Sequence, residues 1–248
     1  MFTEANERLL RLADRGPAAN DHYKLIHLHI PKTAGVSFLA LFKRCFEDPL
    51  HLPWNAGGPT WKKTIQGGRT PRFTTGHIRF REIFFGPIVS TKPLLIMSIV
   101  RDPLARAISD YNYMRSSRHP LNAEFYASAP DVDTYIRQRT EQRNLQAQWL
   151  CGFNNDIEAV KGAVSRHFVG LAPLDRIDPY VLQLQRAFVD REPAELERRN
   201  ELQEILHGEK VSPSDVSPDV LKAFQAANDL DQMIYDQSME CWDKVFGG

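Results

Sequence analysis

The sequence predicts an α/β domain: a parallel sheet flanked by helices, with a helical C-terminal half. Three observations carry this. The segment KLIHLHI (24–30) alternates apolar and polar residues and stops at Pro31, as a strand does, and VSFLALFKRCF then repeats apolar residues at helical spacing through Phe38, Leu41, Phe42 and Cys45. The segment KPLLIMSIV (92–100) is almost wholly apolar, the composition of a strand covered on both faces. Directly after it, Asp102 and Pro103 supply a helix N-cap and a proline at the first helical position.

The elements follow in order. Residues 1–20 read as an amphipathic N-terminal extension, with Leu9, Leu10, Leu12 and Ala13 between charges and a stop at Gly16-Pro17. After the first strand and helix, residues 48–72 read as a long loop rich in Pro and Gly. It carries Trp54, Trp61, Lys62, Lys63, Arg69 and Arg72. A loop of this length inside a domain is more often a substrate-facing cover than a linker. FTTGHIRF (73–80) reads as a short strand and HFVGLAP (167–173) as another. Helices are expected from Pro103 and around 131–139, 142–150, 156–166, 178–189, 194–207 and 217–246. No internal repeat breaks the chain, and residues 1–248 are read as one domain.

Composition bounds the function. The 248 residues suffice for a sizeable core, and 42% hydrophobic with 25% charged residues is an ordinary globular balance. The formal net charge is zero, so no global field draws the chain to nucleic acid or anionic lipid. Cys45, Cys151 and Cys241 are odd in number and lack metal or redox spacing, which reads as reduced thiols. Glu4 and Asp14 interrupt the N-terminal segment, unlike a signal peptide, and no run approaches the ~20 apolar residues of a membrane span. A soluble, cytoplasmic protein is expected, with no nucleic-acid partner.

Two turns carry the chemistry. In HLHIPKTAGVSF (27–38), Lys32 follows a strand and precedes a helix, where free backbone N–H groups face an anion. Thr33 and Ser37 offer hydroxyls, while Ala34 and Gly35 allow close approach of the backbone. The bland reading is a tight turn with a surface lysine. In a nucleoside-triphosphate loop the lysine comes after the last glycine; here it comes first. In RDPLARAISDYNY (101–113), Arg101 ends the apolar strand and offers a fork for a phosphate, with Ser109 two turns into the next helix. Its bland reading is an arginine paired to Asp102. Ligands of parallel sheets bind at the carboxyl ends of the strands. Both turns fall there, which suggests a ligand with phosphates at two places.

Together, HIPKTAGVSF and RDPLARAISDYNY resemble the paired signature of sulfotransferases that use 3′-phosphoadenosine 5′-phosphosulfate (PAPS), most of all the carbohydrate branch with heparan sulfate 2-O-sulfotransferases and bacterial relatives. The resemblance implies a P-loop nucleoside-kinase-like three-layer fold. It gives Lys32, Thr33, Ala34, Gly35, Val36 and Ser37 to the 5′-phosphosulfate and Arg101 and Ser109 to the 3′-phosphate. TTGHIRF is similar to the family's Gly-His segment, whose histidine is the base, which points to His77. NLQAQWLCG is similar to an Asn-x-Gln element, and FVGLAP and NDLDQMIYDQSMECW to a later strand and closing helix. Members commonly read Lys-Thr-Gly-Gly-Thr-Ser, so Ala34 and Val36 depart from the pattern. Ala34 is tolerable with a negative φ, and Val36 removes one hydroxyl donor.

Sulfuryl transfer, by analogy with phosphoryl transfer, asks for in-line positioning and stabilisation of the leaving oxygen. Lys32 suits the second task, and His77 suits the base because imidazole titrates near neutral pH. The apolar strand ends in Arg101 where a triphosphate enzyme wants a magnesium carboxylate, so no metal is expected. His27 and His29 share a strand face and could ligate one, but no third ligand has recognisable spacing. Glu47 is a second candidate base, with a solvated helix end as its bland reading. Arg72, Arg79 and Arg81 could hold an acidic group on a small-molecule or carbohydrate acceptor, or simply form a solvated face. Asn144 and Gln148, one helical turn apart, could touch donor or acceptor, or serve helix packing. The expected activity is PAPS-dependent sulfation of a hydroxyl on a carbohydrate or glycolipid, releasing 3′-phosphoadenosine 5′-phosphate (PAP). The rivals are a small-molecule kinase using magnesium-ATP and a non-catalytic nucleotide- or glycan-binding module.

Overall fold

The computed structural model describes residues 2–47, 49–52, 71–85, 92–152, 156–197 and 209–247. Trp54, Trp61, Lys62, Lys63, Arg69 and most of the helix expected at 194–207 lie outside them; residues 194–197 are not helical.

Five strands, β1 (Lys24–Leu28), β2 (Leu50–Leu52), β3 (Phe73–Gly76), β4 (Leu94–Val100) and β5 (Phe168–Pro173), form one sheet in the order β2-β3-β1-β4-β5. Every pairing is parallel. Alternation along the central strands divides the core between the two faces. Ile26, Leu28, Ile96 and Val100 pack with Trp149, Val160 and Ile234 on one side. Leu25, Leu95, Met97 and Ile99 pack with Phe38, Phe42, Tyr180 and Leu184 on the other. Helices α2 (Gly35–Cys45), α7 (Leu145–Cys151), α8 (Ile157–His167) and α9 (Ile177–Phe188) cover these faces, giving the three layers expected. Both sides of β4 are buried, which is why its sequence shows no polar alternation.

The N-terminal segment is part of the core. Helix α1 (Phe2–Ala19) buries Phe2, Ala5, Leu9 and Leu12, and the Asn6 side chain accepts from the Leu171 amide at 3.1 Å. Arg8 donates to the Ser165 carbonyl at 2.7 Å and to that of Phe168. The expected stop at Gly16-Pro17 is a kink: Gly16 takes φ 75°, a left-handed value glycine adopts freely, and one more turn follows.

Other elements differ from expectation. Residues 50–52, read as loop, form β2, three residues being too few for a period. The strand expected over 73–80 ends at Gly76, and α3 (Phe80–Phe85) begins within it. Helix α4 (Pro103–Met114) has Asp102 as its cap, accepting from the Ala105 amide at 2.7 Å. Helix α5 (Asn122–Ser128) was not foreseen, whereas α6 (Val132–Gln138) was. They enclose a smaller core of Ile108, Tyr111, Phe125 and Tyr135. The helix expected at 217–246 is two, α10 (Pro218–Ala227) and α11 (Asp229–Phe246). They part at Asn228, whose side chain donates to the Phe224 carbonyl and accepts from the Asn144 amide. No described helix is long and apolar enough to cross a membrane.

Candidate active site

Parallel register decides which turns meet. Leu28 lies beside Gly76 on one strand and Ser98 on the other. His77, just past Gly76, and Arg101, just past Val100, therefore leave the same edge of the sheet as the turn after β1. Strand β1 stands between β3 and β4, so this edge is where the strand order reverses, the usual ligand crevice of such sheets.

The turn after β1 is strained. Lys32 takes φ 70° and Ala34 φ 61°. Ala34 thus contradicts the negative φ expected of it, and a left-handed L-residue costs about 1–2 kcal/mol. Interleaved left-handed residues turn successive N–H groups toward one concavity, an arrangement suited to an anion. No side chain caps the N-terminus of α2. The positive end of the helix dipole there favours an anion. Thr33 is buried and its hydroxyl donates to the Ile30 carbonyl at 2.8 Å, so it closes the turn instead of serving as the expected free donor. Ser37 is buried in the first turn of α2, and Val36 projects outward at 49% exposure.

Charge at this turn is predominantly positive. The Lys32 ammonium lies 4.1 Å from the centroid of the Tyr113 ring. Burial pushes Lys32 down to about 8; Asp110 opposes this, and Arg101, Arg106 and Arg118 reinforce it. Asp110 is itself engaged, accepting from the Tyr135 hydroxyl at 2.8 Å and the Gln142 amide at 2.9 Å. A half-buried ammonium that feels the charge of three guanidinium groups is in the environment a multiply charged anion relieves.

Arg101 is fixed by Gln146, the glutamine of the Asn-x-Gln element, to which the sequence assigned no role. Gln146 accepts from the Arg101 amide at 2.9 Å and donates to the Arg101 carbonyl at 2.8 Å. The buried Asp231 carboxylate in turn accepts from the amides of Gln146 and Ala147, at 3.0 and 2.9 Å. Desolvation raises Asp231 to about 6, against the lowering effect of those amides. The guanidinium of Arg101 reaches back to the Lys32 carbonyl at 3.2 Å, so the two phosphate turns touch. Ser109 lies half-buried on α4.

His77 sits beside them. Its Nδ1 lies 3.1 Å from the His29 carbonyl. A carbonyl only accepts, so Nδ1 carries the proton and Nε2 keeps the lone pair a base needs. Burial pushes His77 down to about 4, countered by that carbonyl and reinforced by His51, so the ring is neutral at pH 7. Trp149 meets it edge-on, with centroids 5.8 Å apart.

Other expected residues serve different ends. Arg72 precedes β3, at the amino end of the sheet, and pairs with Asp21 at 3.2 Å; it is not part of this site. Asn144 takes φ 44° and caps α7, its side chain accepting from the Asp231 amide at 3.1 Å, so it ties α7 to α11. Gln148 donates to the Arg143 carbonyl at 2.8 Å. Both are the helix-packing amides of the bland reading. Arg79 stands near the site, 5.7 Å from the Trp149 ring, while Arg81 backs against Gly152. Glu47 is exposed past the end of α2. His27 is fully buried, with Nδ1 2.8 Å from the Thr75 hydroxyl.

No protein-family profile and no curated protein matches the chain. Among solved structures, the mouse sulfotransferase SULT7A1 complexed with PAP is similar over 99% of this chain and 96% of its own, at 12% identity and a TM-score of 0.39. A likeness at that level leaves the site to be read from its own geometry.

Proposed function

We propose that the protein is a sulfotransferase that moves a sulfuryl group from PAPS to an acceptor hydroxyl, on a carbohydrate or glycolipid. The observation that carries this reading is the meeting of three groups at one sheet edge: the uncapped, lysine-bearing turn, Arg101 in contact with it, and a neutral imidazole with its tautomer fixed. A twice-phosphorylated nucleotide fits the donor set. The turn presents the positive end of a helix and a half-buried ammonium, and a separate guanidinium stands at the neighbouring strand end.

Bound PAPS supplies the sulfuryl group and a stable leaving phosphate. The remaining work belongs to this chain. Lys32 and the amides of α2 hold the 5′ end and stabilise the charge that develops on the bridging oxygen. Arg101, held by Gln146, fixes the 3′ end with Ser109, and so sets the approach to His77. His77 Nε2 takes the proton of the acceptor hydroxyl as it attacks. Arg79, beside Trp149, meets an acidic group on the acceptor in this reading.

The test is transfer from radiolabelled PAPS to a panel of oligosaccharides and glycolipids. Wild-type protein is expected to label at least one acceptor. Lys32→Ala and His77→Ala are expected to lose about 100-fold or more, the span of charge stabilisation and of base catalysis. Wild-type turnover in Lys32→Ala would overturn the assignment of the leaving-group lysine, and no transfer to any member of the panel would overturn the acceptor class.

A further inference from the structure

Beyond its carbonyl, His29 touches both halves of the site with its ring. Its carbonyl is the group that fixes the His77 tautomer. Its ring stacks on the His77 ring, with centroids 4.3 Å apart and planes 27° from parallel. The same ring stacks toward His27, centroids 5.6 Å apart. Its edge fills the space over the Gly35 Cα: a Cβ built there would lie 1.9 Å from His29 Nε2 and 2.0 Å from Cε1. Gly35 has no positive φ, so the absence of a side chain there is demanded by this ring and not by the backbone.

We propose that His29 is a positioning residue for the transfer reaction, a spacer whose carbonyl orients His77 and whose ring sets the separation between His77 and the first turn of α2. This rests on the reading of His77 as base and of the turn after β1 as the donor site. A flat ring in contact with both has the thickness of one van der Waals layer. The base and the phosphate-holding amides are thereby registered to each other through one rigid side chain, and a displacement of either moves the other. Tight registration matters because a misplacement of about 1 Å can cost about 100-fold in rate. Burial first, and then the charges of His77 after β3, His27 on β1, His51 on β2 and Lys32 on the turn, disfavour a charge on the ring, so it stays neutral and acts by shape.

The experiment is a double-mutant cycle with two readouts: PAP affinity by calorimetry, and the imidazole nitrogen signals of His77 by NMR against pH in the nucleotide-free protein. His29→Ala is expected to weaken PAP binding about tenfold, and Gly35→Ala about 100-fold, by driving its methyl into the ring. The double variant is expected to bind PAP within a few-fold of His29→Ala, because the methyl then occupies vacated space. In His29→Ala the His77 titration should move up by about one pH unit as its cover thins, with the Nδ1–H tautomer retained through the backbone carbonyl. Losses that multiply in the double variant, or a His77 titration unmoved by His29→Ala, would overturn the proposal. If wild-type protein binds no PAP, the donor-site reading falls instead, and the His77 titration still decides whether His29 sets its surroundings. His29→Leu carries that titration arm if His29→Ala does not fold.

Discussion

At the scale of single residues, burial sets the charge states of Lys32 and His77 in advance. Lys32 is pushed down to about 8. Its charge, and with it the attraction for an anion, fades as pH rises through that value. PAP affinity in wild-type protein is therefore expected to fall above pH 8, and Lys32→Arg, which stays charged, to flatten that limb. An affinity that is level to pH 10 in wild-type protein would remove Lys32 from the donor site. His77→Gln is expected to hold PAP within about twofold and to lose 10²–10⁴ in turnover, checked by calorimetry and by transfer. Arg101 and His77 were legible because each stands directly after a strand, and Lys32 because it lies in the turn that follows one; a parallel sheet gathers such positions at one end. Arg72 was misplaced by counting it with a cation cluster; as the residue before a strand it belongs to the opposite edge. Gln146 was not singled out because the reading paired Asn144 with Gln148 at one helical turn, whereas Asn144 sits at the cap with φ 44°, outside the regular helix.

At the scale of elements, the turn after β1 and the start of α7 hold the site in place. Ala34 occupies a left-handed conformation that glycine adopts without penalty. Ala34→Gly is expected to stabilise the protein by about 0.5–1 kcal/mol, the relief of strain less the added entropy of the unfolded chain, read as a rise in melting temperature. A fall would contradict the left-handed turn. Gln146 pairs both backbone groups of Arg101. Gln146→Ala is expected to weaken PAP about tenfold while leaving AMP, which lacks the 3′-phosphate, within about twofold. Equal losses for both nucleotides would make Gln146 a general packing residue. The sequence showed the long elements and hid the short ones. β4 and the helix after it announced themselves by composition and by the Asp-Pro cap. β2 was invisible at three residues, and the α10–α11 break rests on Asn228 meeting Asn144 from 84 residues away in the chain, a contact no local pattern encodes.

At the scale of the whole molecule, the site is assembled from buried ionisable groups, and stability should register them. His27, His29 and His77 are all held below their ordinary range by burial first, to about 3 for His27 and about 4 for His77. A histidine depressed in the folded state contributes stability above its unfolded value near 6.5, and that stability is lost as pH falls through the window below it, by up to about 1.4 kcal/mol per unit for each ring. Asp231, raised to about 6, works in the opposite direction, stabilising the fold as pH falls from 6 toward 4. Three rings outweigh one carboxyl. The melting temperature is expected to fall between pH 6.5 and 4.5, and more steeply in Asp231→Asn, where the opposing group no longer titrates. The same observable, with ligand in place of acid, tests the central claim most directly. Thermal unfolding would be recorded with PAP, with AMP and with magnesium-ATP, each at about 100 times the dissociation constant expected for PAP. PAP is expected to stabilise by about 2.7 kcal/mol and to raise the melting temperature by about 5–10 °C, with a smaller rise for AMP and none specific to magnesium-ATP. A rise with magnesium-ATP and none with PAP would contradict the account and make the turn after β1 a triphosphate site.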